Sequence, residues 1–216
     1  MLIRKYNSKD RKAVENIQFE TFFLGKSLKG FIDNKKYVAE EIKYYLEEEP
    51  ENCFVAEENR KVVGYLLGCL NVRHDDRKEL LSKLFKTIAR SLWMSKKDRK
   101  FWCNWNIKVI ISAIFGKSDE INIKYPKNLG SLHINILPEA RGKGTGSKLL
   151  KEFFKHAKKN GCKRISAGTW KTKLNDNKTF WLKNGFKKYS EIENTFFWKY
   201  LLPNEKIGLT VYVKEL

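Results

Sequence analysis

Residues 132–150 read LHINILPEARGKGTGSKLL, and this stretch decides the fold. It begins as an apolar run, turns at Pro138, passes through a basic loop with three glycines and continues as an amphipathic helix. The first N–H groups of a helix have no partner within the helix, and the helix dipole adds positive potential there. A strand that leads through a glycine-rich loop into a helix therefore predicts a phosphate-binding site.

The order of the loop residues excludes two common phosphate-binding patterns. No Gly-Lys-Ser/Thr follows at the P-loop spacing, and Gly142, Gly144 and Gly146 give G-x-G-x-G where the dinucleotide pattern needs G-x-G-x-x-G. Arg141 with the last two glycines does match R-x-x-G-x-G, directly after residues 136–139, ILPE. This combination resembles the acetyl-CoA-binding signature of the GNAT family of N-acetyltransferases.

The resemblance implies the acyl-CoA N-acyltransferase fold, which is an α/β (α+β) architecture. Its central sheet is mixed and mostly antiparallel, its fourth and fifth strands are parallel and splay apart, and helices cover both faces. Residues 132–137, 147–160 and 164–169 read as strand, helix and strand, which predicts a right-handed βαβ unit with parallel strands. We expect residues 1–216 to form a single N-acetyltransferase domain.

The chain before the signature fits the same fold. Residues 2–6 predict a first strand, a helix capped by Ser8 or Asp10 follows, and a second helix spans about 34–49. Residues 53–68, CFVAEENRKVVGYLLG, predict an antiparallel hairpin and resemble the second and third strands of the family. The acidic end of the second helix is interpreted as a solvated face.

Residues 71–128 are a long insertion between the third and fourth strands. Apolar residues recur at helical spacing from 77 to 93 and again from 101 to 115, which predicts a helical hairpin. The simplest interpretation is that these apolar residues pack the hairpin together. The alternatives are that the hairpin forms a wall of the acceptor pocket or a dimer contact, so the expected state is a monomer or a homodimer.

By resemblance, the coenzyme would be held by the end of the fourth strand, by the loop and by two later positions. An amide near Ile136 or Leu137 would polarise the thioester carbonyl. The coenzyme-binding residues implied in this way are Ile134, Asn135, Ile136, Arg141, Gly142, Lys143, Gly144, Thr145, Gly146, Ser147, Asn175 and Trp181.

Catalysis requires a base for the amine and an acid for the leaving thiolate. His133 is the candidate base because its unperturbed pKa lies near neutrality, and Asn135 shares its side of the strand; a purely structural His133 is the equal alternative. Glu57, acting through water, is the second candidate. Trp181 occupies the position where many family members have a tyrosine acid, so the alternatives are that Tyr189 or water donates the proton or that the step needs no dedicated acid.

The net charge is +19, and it is concentrated after the signature. Residues 1–60 carry 11 basic and 12 acidic side chains, whereas residues 141–188 carry 15 basic and 2 acidic ones. This field would attract the phosphates of coenzyme A. A nucleic acid is the rival partner for a basic chain, and a basic RNA-associated protein is therefore one alternative function. We disfavour a nucleic-acid partner and interpret most individual lysines as solvated surface.

Other function classes find no support in the sequence. Four scattered cysteines and three histidines show no metal-ligand spacing, so we expect no metal and, from the cysteine usage, a cytoplasmic location. No apolar run reaches membrane-spanning length, and no membrane partner is expected. His156 is expected to be exposed to solvent.

The sequence thus predicts an acetyl-CoA-dependent N-acetyltransferase that acts on a primary amine of a small molecule or a protein by direct attack on the thioester. The second alternative is an acyl-CoA-binding module of the same fold with little catalysis.

Overall fold

The computed structural model describes residues 1–71, 77–115, 123, 125–126, 128–172, 177–193, 195, 204 and 206–216. Seven strands are described: β1 (Leu2–Lys5), β2 (Phe54–Glu58), β3 (Lys61–Cys69), β4 (Leu129–Ile136), β5 (Arg164–Lys171), β6 (Lys187–Ile192) and β7 (Gly208–Glu215). The α-helices are α1 (Arg11–Thr21), α2 (Lys36–Glu47), α3 (Arg77–Ser91), α4 (Lys96–Asp98), α5 (Asn104–Ile114), α6 (Thr145–Lys159) and α7 (Lys178–Lys183).

The strands form one sheet in the order β1-β2-β3-β4-β5-β7-β6. All neighbouring pairs are antiparallel except β4 and β5, which pair in parallel over residues 129–131 only. The predicted mixed sheet and its parallel pair are confirmed. The β2–β3 hairpin turns at Asn59 and Arg60, whose φ angles of 50° and 61° fit a two-residue turn that follows the twist of the strands.

Helices cover both faces of the sheet, because each strand alternates its side chains between two separate cores. On one face, α6 buries Leu149, Leu150 and Phe153 against β2, β3 and β5. On the other face, α1 and α2 bury Val14 and Ile42 with neighbouring side chains of β2 and β3. That residues 1–216 form a single domain stays a prediction.

Asp10 occupies the N-cap position of α1, one of the two predicted positions, but its side chain makes no capping hydrogen bond to that helix. Asn7 caps the preceding 3₁₀ turn, and its side chain accepts a hydrogen bond from the N–H of Lys9 at 2.8 Å. The Asp10 carboxylate accepts in return from the N–H of Asn7 at 3.0 Å, which completes a capping box around a short 3₁₀ turn. Arg4 then holds Asp10 with two hydrogen bonds of 2.7 and 2.8 Å.

The insertion contains α3, α4 and α5, with a π-helical turn at Arg99–Cys103, and α3 packs against α5. The predicted helical hairpin between β3 and β4 is confirmed in this part of the chain. A third apolar cluster joins the insertion to α1 and the segment that follows it. There, Met94 and Trp102 are buried with Phe19 and Leu28.

All four cysteines are free and buried, which places them in the cores instead of at the surface. Burial raises the pKa of the Cys53 thiol to about 12 and that of Cys69 to about 11. The pKa of Cys103 is raised for the same reason. Among the described helices, none combines the length and the apolar character needed to cross a bilayer.

Candidate active site

A cavity of about 2670 Å³ opens between the splayed strands and the helices of one face. Its lining comes from α1, α2, β4, β5, the glycine loop, α7 and the insertion. The glycine loop, which the sequence predicts to bind phosphate, and the insertion therefore line the same cavity. The cavity has a coenzyme side at the loop and a second side between α2 and α3. We refer to the second side as the acceptor side.

The edge of β4 that faces β5 is open beyond Ser131, because the parallel pairing ends there. The N–H of Leu137 donates to the carbonyl of Val63 at 2.9 Å, which fixes odd-numbered residues as those that bond β3. Even-numbered residues therefore direct their backbone groups to the open edge. Ile134 and Ile136 are two of them, and both line the cavity.

The three loop glycines have two different physical roles. Gly142 and Gly144 adopt positive φ angles of 74° and 76°, and a Cβ on either would meet nothing within 4 Å. Gly146 is different, since a Cβ there would lie 2.9 Å from the ring of Phe180 and 3.3 Å from Ile136. The first two glycines thus shape the loop, and the third lets α6 approach α7 and β4.

The loop leads into the N-terminus of α6, whose cap is Gly144 without a side-chain hydrogen bond. The first intrahelical donor is the N–H of Lys148, which reaches the carbonyl of Gly144 at 3.1 Å. The N–H groups of Thr145, Gly146 and Ser147 therefore precede the helical ladder and point to the cavity end. Thr145 itself is buried, and its hydroxyl donates to the carbonyl of Ala140 at 2.9 Å.

Arg141 ties three segments together at the rim of the cavity. Its Nε donates to the carbonyl of Ile136 at 2.9 Å, and its Nη2 donates to the carbonyl of Gly25 at 3.0 Å. The guanidinium is therefore engaged with backbone, and the backbone N–H of Arg141 also bonds Pro138. Lys143 lies 3.4 Å from Glu58 on β2.

A polar cluster lies on β3, β4 and α1, facing the cavity. The Asn135 amide donates to the Gln18 side chain at 3.0 Å and to the Tyr65 hydroxyl at 2.9 Å, and that hydroxyl donates to Gln18 at 2.5 Å. His133 lies beside it, with Nδ1 3.5 Å from the same hydroxyl. His133 and Asn135 share one side of β4, as the sequence predicts, and the sequence analysis missed Gln18 and Tyr65.

Burial determines the protonation of this cluster. It lowers the pKa of His133 from 6.5 to about 4, so the imidazole is neutral at physiological pH. It also raises the pKa of the Tyr65 hydroxyl well above its usual range. His133 is thus a hydrogen-bonding group and a weak base, in contrast to the near-neutral base that its unperturbed pKa suggests.

Helix α2 presents polar and aromatic side chains to the acceptor side. Tyr37, Glu41 and Tyr45 follow at intervals of four residues, which places them on one side of the helix. Tyr45 is hydrogen-bonded to Ser131 of β4. Glu41 is accessible from the cavity; partial desolvation there raises the pKa of its carboxyl, an effect that neighbouring Lys83 of α3 opposes. This spacing was visible in the sequence and was not recognised as part of a site.

The insertion forms the opposite wall of the acceptor side. From α3, Lys83, Lys86 and Arg90 line the cavity, and Arg90 lies 3.3 Å from Glu40 of α2. Trp102 adds an aromatic surface and packs edge-on against Phe22 at a centroid distance of 5.5 Å. The pocket-wall interpretation of the insertion therefore has structural support, alongside the packing interpretation.

Three predicted residues lie outside this cavity. Glu57 is engaged by Arg4, whose Nε donates to its carboxylate at 2.9 Å, and Tyr189 sits on β6 with 46% of its surface exposed. Their placement argues against both as proton carriers. His156, which the sequence analysis expected to be exposed to solvent, is partly exposed, and its Nε2 lies 2.8 Å from the Asn52 side-chain oxygen.

Trp181 lies at the coenzyme side, buried with 4% exposure. Its ring stacks on Tyr212 at 6.0 Å and meets Phe186 edge-on at 5.0 Å. Its Nε1 is buried and has no hydrogen-bond partner among the described residues. A buried donor without a partner is costly, which marks this position as one suited to a bound acceptor atom.

Two further sequence expectations complete the site. Asn175 was expected to contact the coenzyme, and it lies outside the described residues. Within the part of the chain that the structure describes, no group of three or more histidine, cysteine, aspartate or glutamate side chains is arranged to hold a metal ion.

Comparison with known proteins gives the same fold. SsHAT superposes with a TM-score of 0.63 at 18% identity, covering 99% of this chain and 97% of its own. The polyamine N-acetyltransferase of Drosophila melanogaster gives 0.59 at 11%, covering 100% and 99%. The Salmonella typhimurium acetyltransferase yncA, solved with its cofactor acetyl-CoA, gives 0.55 at 16%, covering 100% and 93%. No curated protein matches the sequence.

A splayed β4–β5 pair beside a glycine loop and a helix N-terminus defines an acyltransferase of the acyl-CoA N-acyltransferase fold. Residues 12–186 match the family described as the acetyltransferase (GNAT) family. The chain belongs to this family, as the sequence resemblance predicted, and it is an acyltransferase enzyme.

Proposed function

We propose that this protein transfers an acetyl group from acetyl-CoA to a primary amine by direct attack of the amine on the thioester. One observation carries the proposal. The open edge of β4 and the N–H groups at the start of α6 border the same cavity, which also reaches the acceptor side. A donor and an acceptor can therefore meet without leaving the protein.

The residues present fit coenzyme A. The absence of any atom within 4 Å of a Cβ on Gly142 or Gly144 leaves room for a pyrophosphate against the backbone. Thr145, Gly146 and Ser147 would donate their N–H groups to it, and the β4 edge at Ile134 would pair with the pantetheine arm. When bound, acetyl-CoA supplies an electrophilic thioester carbonyl.

The backbone hydrogen bonds of β4 bear on which N–H group would polarise the thioester carbonyl. The sequence left Ile136 and Leu137 as alternatives, but the N–H of Leu137 already donates to Val63. The N–H of Ile136 belongs to the open edge, while its carbonyl is held by Arg141. We therefore assign the polarising donor to the N–H of Ile136, with Arg141 holding the next peptide group along the strand through the Ile136 carbonyl.

The polar cluster would orient the amine and accept its proton. A neutral His133 can accept a hydrogen bond, and Asn135 is held in place by Gln18 and Tyr65. A base with a pKa of about 4 accepts a proton only weakly, so the amine must reach this point largely deprotonated. Asn135 and His133 then orient it, and His133 accepts the proton as the bond forms.

The charges of the acceptor side indicate the class of amine. Glu40 and Glu41 face this space, and so do four cations, which are Lys43, Lys83, Lys86 and Arg90. The carboxylates suit an ammonium group, whereas the excess of cations suits an anion. We propose an acceptor that carries both a primary amine and a negatively charged group.

The coenzyme assignment is tested by two matched substitutions, Gly144→Asp and Gly161→Asp. Both glycines have φ near 76° and open space around a Cβ, so the backbone cost is equal, but only Gly144 lines the cavity. Acetyl-CoA should raise the melting temperature of the wild type and of the Gly161 variant. We expect the Gly144 variant to bind about a hundredfold more weakly, because a carboxylate meets the phosphates. Equal binding by both variants would contradict the assignment.

Transfer is tested separately by release of free thiol from acetyl-CoA with a panel of amines, in which each amine is supplied with and without a carboxylate. We expect faster turnover with the carboxylate, and Lys86→Glu should remove that preference without changing acetyl-CoA binding. Thermal stabilisation without thiol release from any amine would favour a binding module. Turnover without a preference for the carboxylate would reject the acceptor class alone.

A further inference from the structure

The insertion exposes an unusual amount of apolar surface. Four apolar residues, three of α3 and one directly after its end, recur at intervals of three or four and are all exposed, which makes a continuous stripe. They are Leu81 at 39%, Phe85 at 69%, Ile88 at 45% and Leu92 at 74%. Trp93 follows at 88%, and Phe115 at the end of α5 is 66% exposed.

The orientation of α3 explains this exposure. At about 100° per residue, the stripe lies opposite Lys83, Lys86 and Arg90, which line the cavity. The helix therefore turns its cationic side to the protein and its apolar side outward, the reverse of an ordinary surface helix. The apolar stripe and Trp93, which we call the α3 face, are left exposed by the residues that the structure describes.

We propose that the α3 face docks the protein on an anionic lipid bilayer. A helix with tryptophan, phenylalanine and leucine on one side and lysine and arginine on the other is typical of one that lies in the membrane interface. Trp93 stands at the end of the stripe, where an aromatic ring prefers the headgroup region. This inference concerns a different surface from the proposed acetyl transfer and does not depend on it.

The positive charge of the insertion favours an anionic bilayer over a second copy of the chain as the partner of the α3 face. Residues 77–115 carry ten basic and two acidic side chains, and one of the acidic residues, Asp98, is buried. The insertion also carries exposed cations, at Lys96 and Lys100 within seven residues of Trp93 in the sequence and at Lys108 on α5. Two such faces would repel each other, whereas anionic headgroups would attract both the local cations and the total charge of +19.

The proposal replaces the sequence-based expectation of no membrane partner. That expectation rested on the length of apolar runs, which tests for a spanning segment only. Interfacial docking needs an exposed apolar stripe and positive charge, and neither requires a long apolar run. The cavity opens on the other side of α3, so docking would leave the proposed site accessible.

The test is co-sedimentation of the full-length chain with vesicles of phosphatidylcholine alone or mixed with phosphatidylserine. We expect binding to the mixed vesicles that weakens with added salt. Leu92→Ser and Trp93→Ala should each lower the partition coefficient about tenfold, since each removes a large apolar group from the interface. Leu2→Ser is the matched control, because Leu2 is 57% exposed on β1, away from this face, and its loss should change nothing.

Three outcomes would overturn the proposal. They are no sedimentation with either vesicle, equal loss in the Leu2 and Leu92 variants, and equal binding to both lipid compositions. Sedimentation velocity adds a fourth, in which the wild type self-associates, Leu92→Ser and Trp93→Ala abolish that association, and vesicles do not bind. That result would assign the face to a second copy. Unchanged melting temperatures of the variants would confirm that folding is intact.

Discussion

The βαβ region at residues 129–171 and the insertion at residues 77–115 contribute opposite walls to one cavity, yet they are built differently. In the first, α6 buries a full apolar side, and Phe153, Leu149 and Leu150 are wholly enclosed. In the second, α3 has no fully buried residue among its described side chains, and its apolar side faces outward. The coenzyme side is thus held by a packed core, and the acceptor side by a lightly packed helix.

This difference suggests a division of tasks. A phosphate-binding loop must hold several N–H groups in fixed positions, which a close-packed strand and helix provide. A wall that determines the acceptor can vary its side chains at little cost in stability. Substitutions should therefore be costly in the βαβ region and cheap in the insertion.

The largest effect of adding a single methyl group is expected where the βαβ helix touches β3. A Cβ on Gly68 would lie 2.1 Å from the Phe153 ring and 2.9 Å from the carbonyl of Asn52. Gly68→Ala should therefore lower the free energy of unfolding by about 3 kcal/mol, seen as a fall in melting temperature on the order of 10 °C. Gly168→Ala is the control, since its nearest contact is an ordinary 3.4 Å. Equal melting temperatures for the two variants would show that the contact is not tight.

The next effect concerns pH. Because the pKa of His133 is lowered to about 4, the unfolded chain takes up a proton below pH 6.5 while the folded chain does not. The contribution of His133 to the free energy of unfolding is thus fully present above pH 6.5 and is lost as the pH falls towards 4. Between pH 7 and pH 5 the free energy of unfolding should fall by about 2 kcal/mol because of His133. His133→Gln should remove this contribution to the pH dependence. Urea unfolding of both proteins measures it, and parallel pH profiles would mean that His133 is solvated.

A smaller effect separates two buried tryptophans that both line the cavity. If the unpartnered Nε1 of Trp181 serves the coenzyme, Trp181→Phe should weaken acetyl-CoA binding about tenfold. Trp102→Phe, in the insertion, should leave that affinity unchanged and alter the Michaelis constant of the amine. Calorimetric titration with acetyl-CoA compares the two. The same loss in both variants would mean that the two walls do not act separately.

The smallest effect is expected on α3. Phe85 is 69% exposed, so Phe85→Ser should change the free energy of unfolding by less than about 0.5 kcal/mol. Phe153→Ser, the same exchange in the core, should prevent stable folding or cost more than about 4 kcal/mol. Denaturant unfolding of the Phe85 variant checks the first value. A large loss there would show that α3 packs more firmly than its exposure indicates.

The sequence was sufficient for the βαβ region because local patterns encode it. The strand, the glycines and the amphipathic helix are contiguous, and their order excluded other phosphate sites. Positions fixed by distant partners were not predictable. Glu57 forms an ion pair with Arg4 across the β1–β2 pair, and no local sequence pattern predicts such a pairing.

The polar cluster could not be predicted from the sequence for the same reason. Gln18, Tyr65 and Asn135 come from α1, β3 and β4 and meet only in the folded chain. The pKa of His133 depends on that meeting, so its chemistry could be named from the sequence but its strength as a base could not. The outward side of α3 was hidden too, because a periodic pattern gives the apolar side of a helix and not its direction.

The buried cysteines have a practical consequence for reagent chemistry. Thiol-reactive dyes attack the thiolate, and all four cysteines are buried, with the pKa of Cys53 raised to about 12 and that of Cys69 to about 11. The folded enzyme should therefore consume almost no dye, and colour formed during turnover would report the coenzyme thiol alone. Trp93→Cys would add one exposed thiol that can be labelled while all four native cysteines stay in place, which puts a fluorophore at the edge of the α3 face.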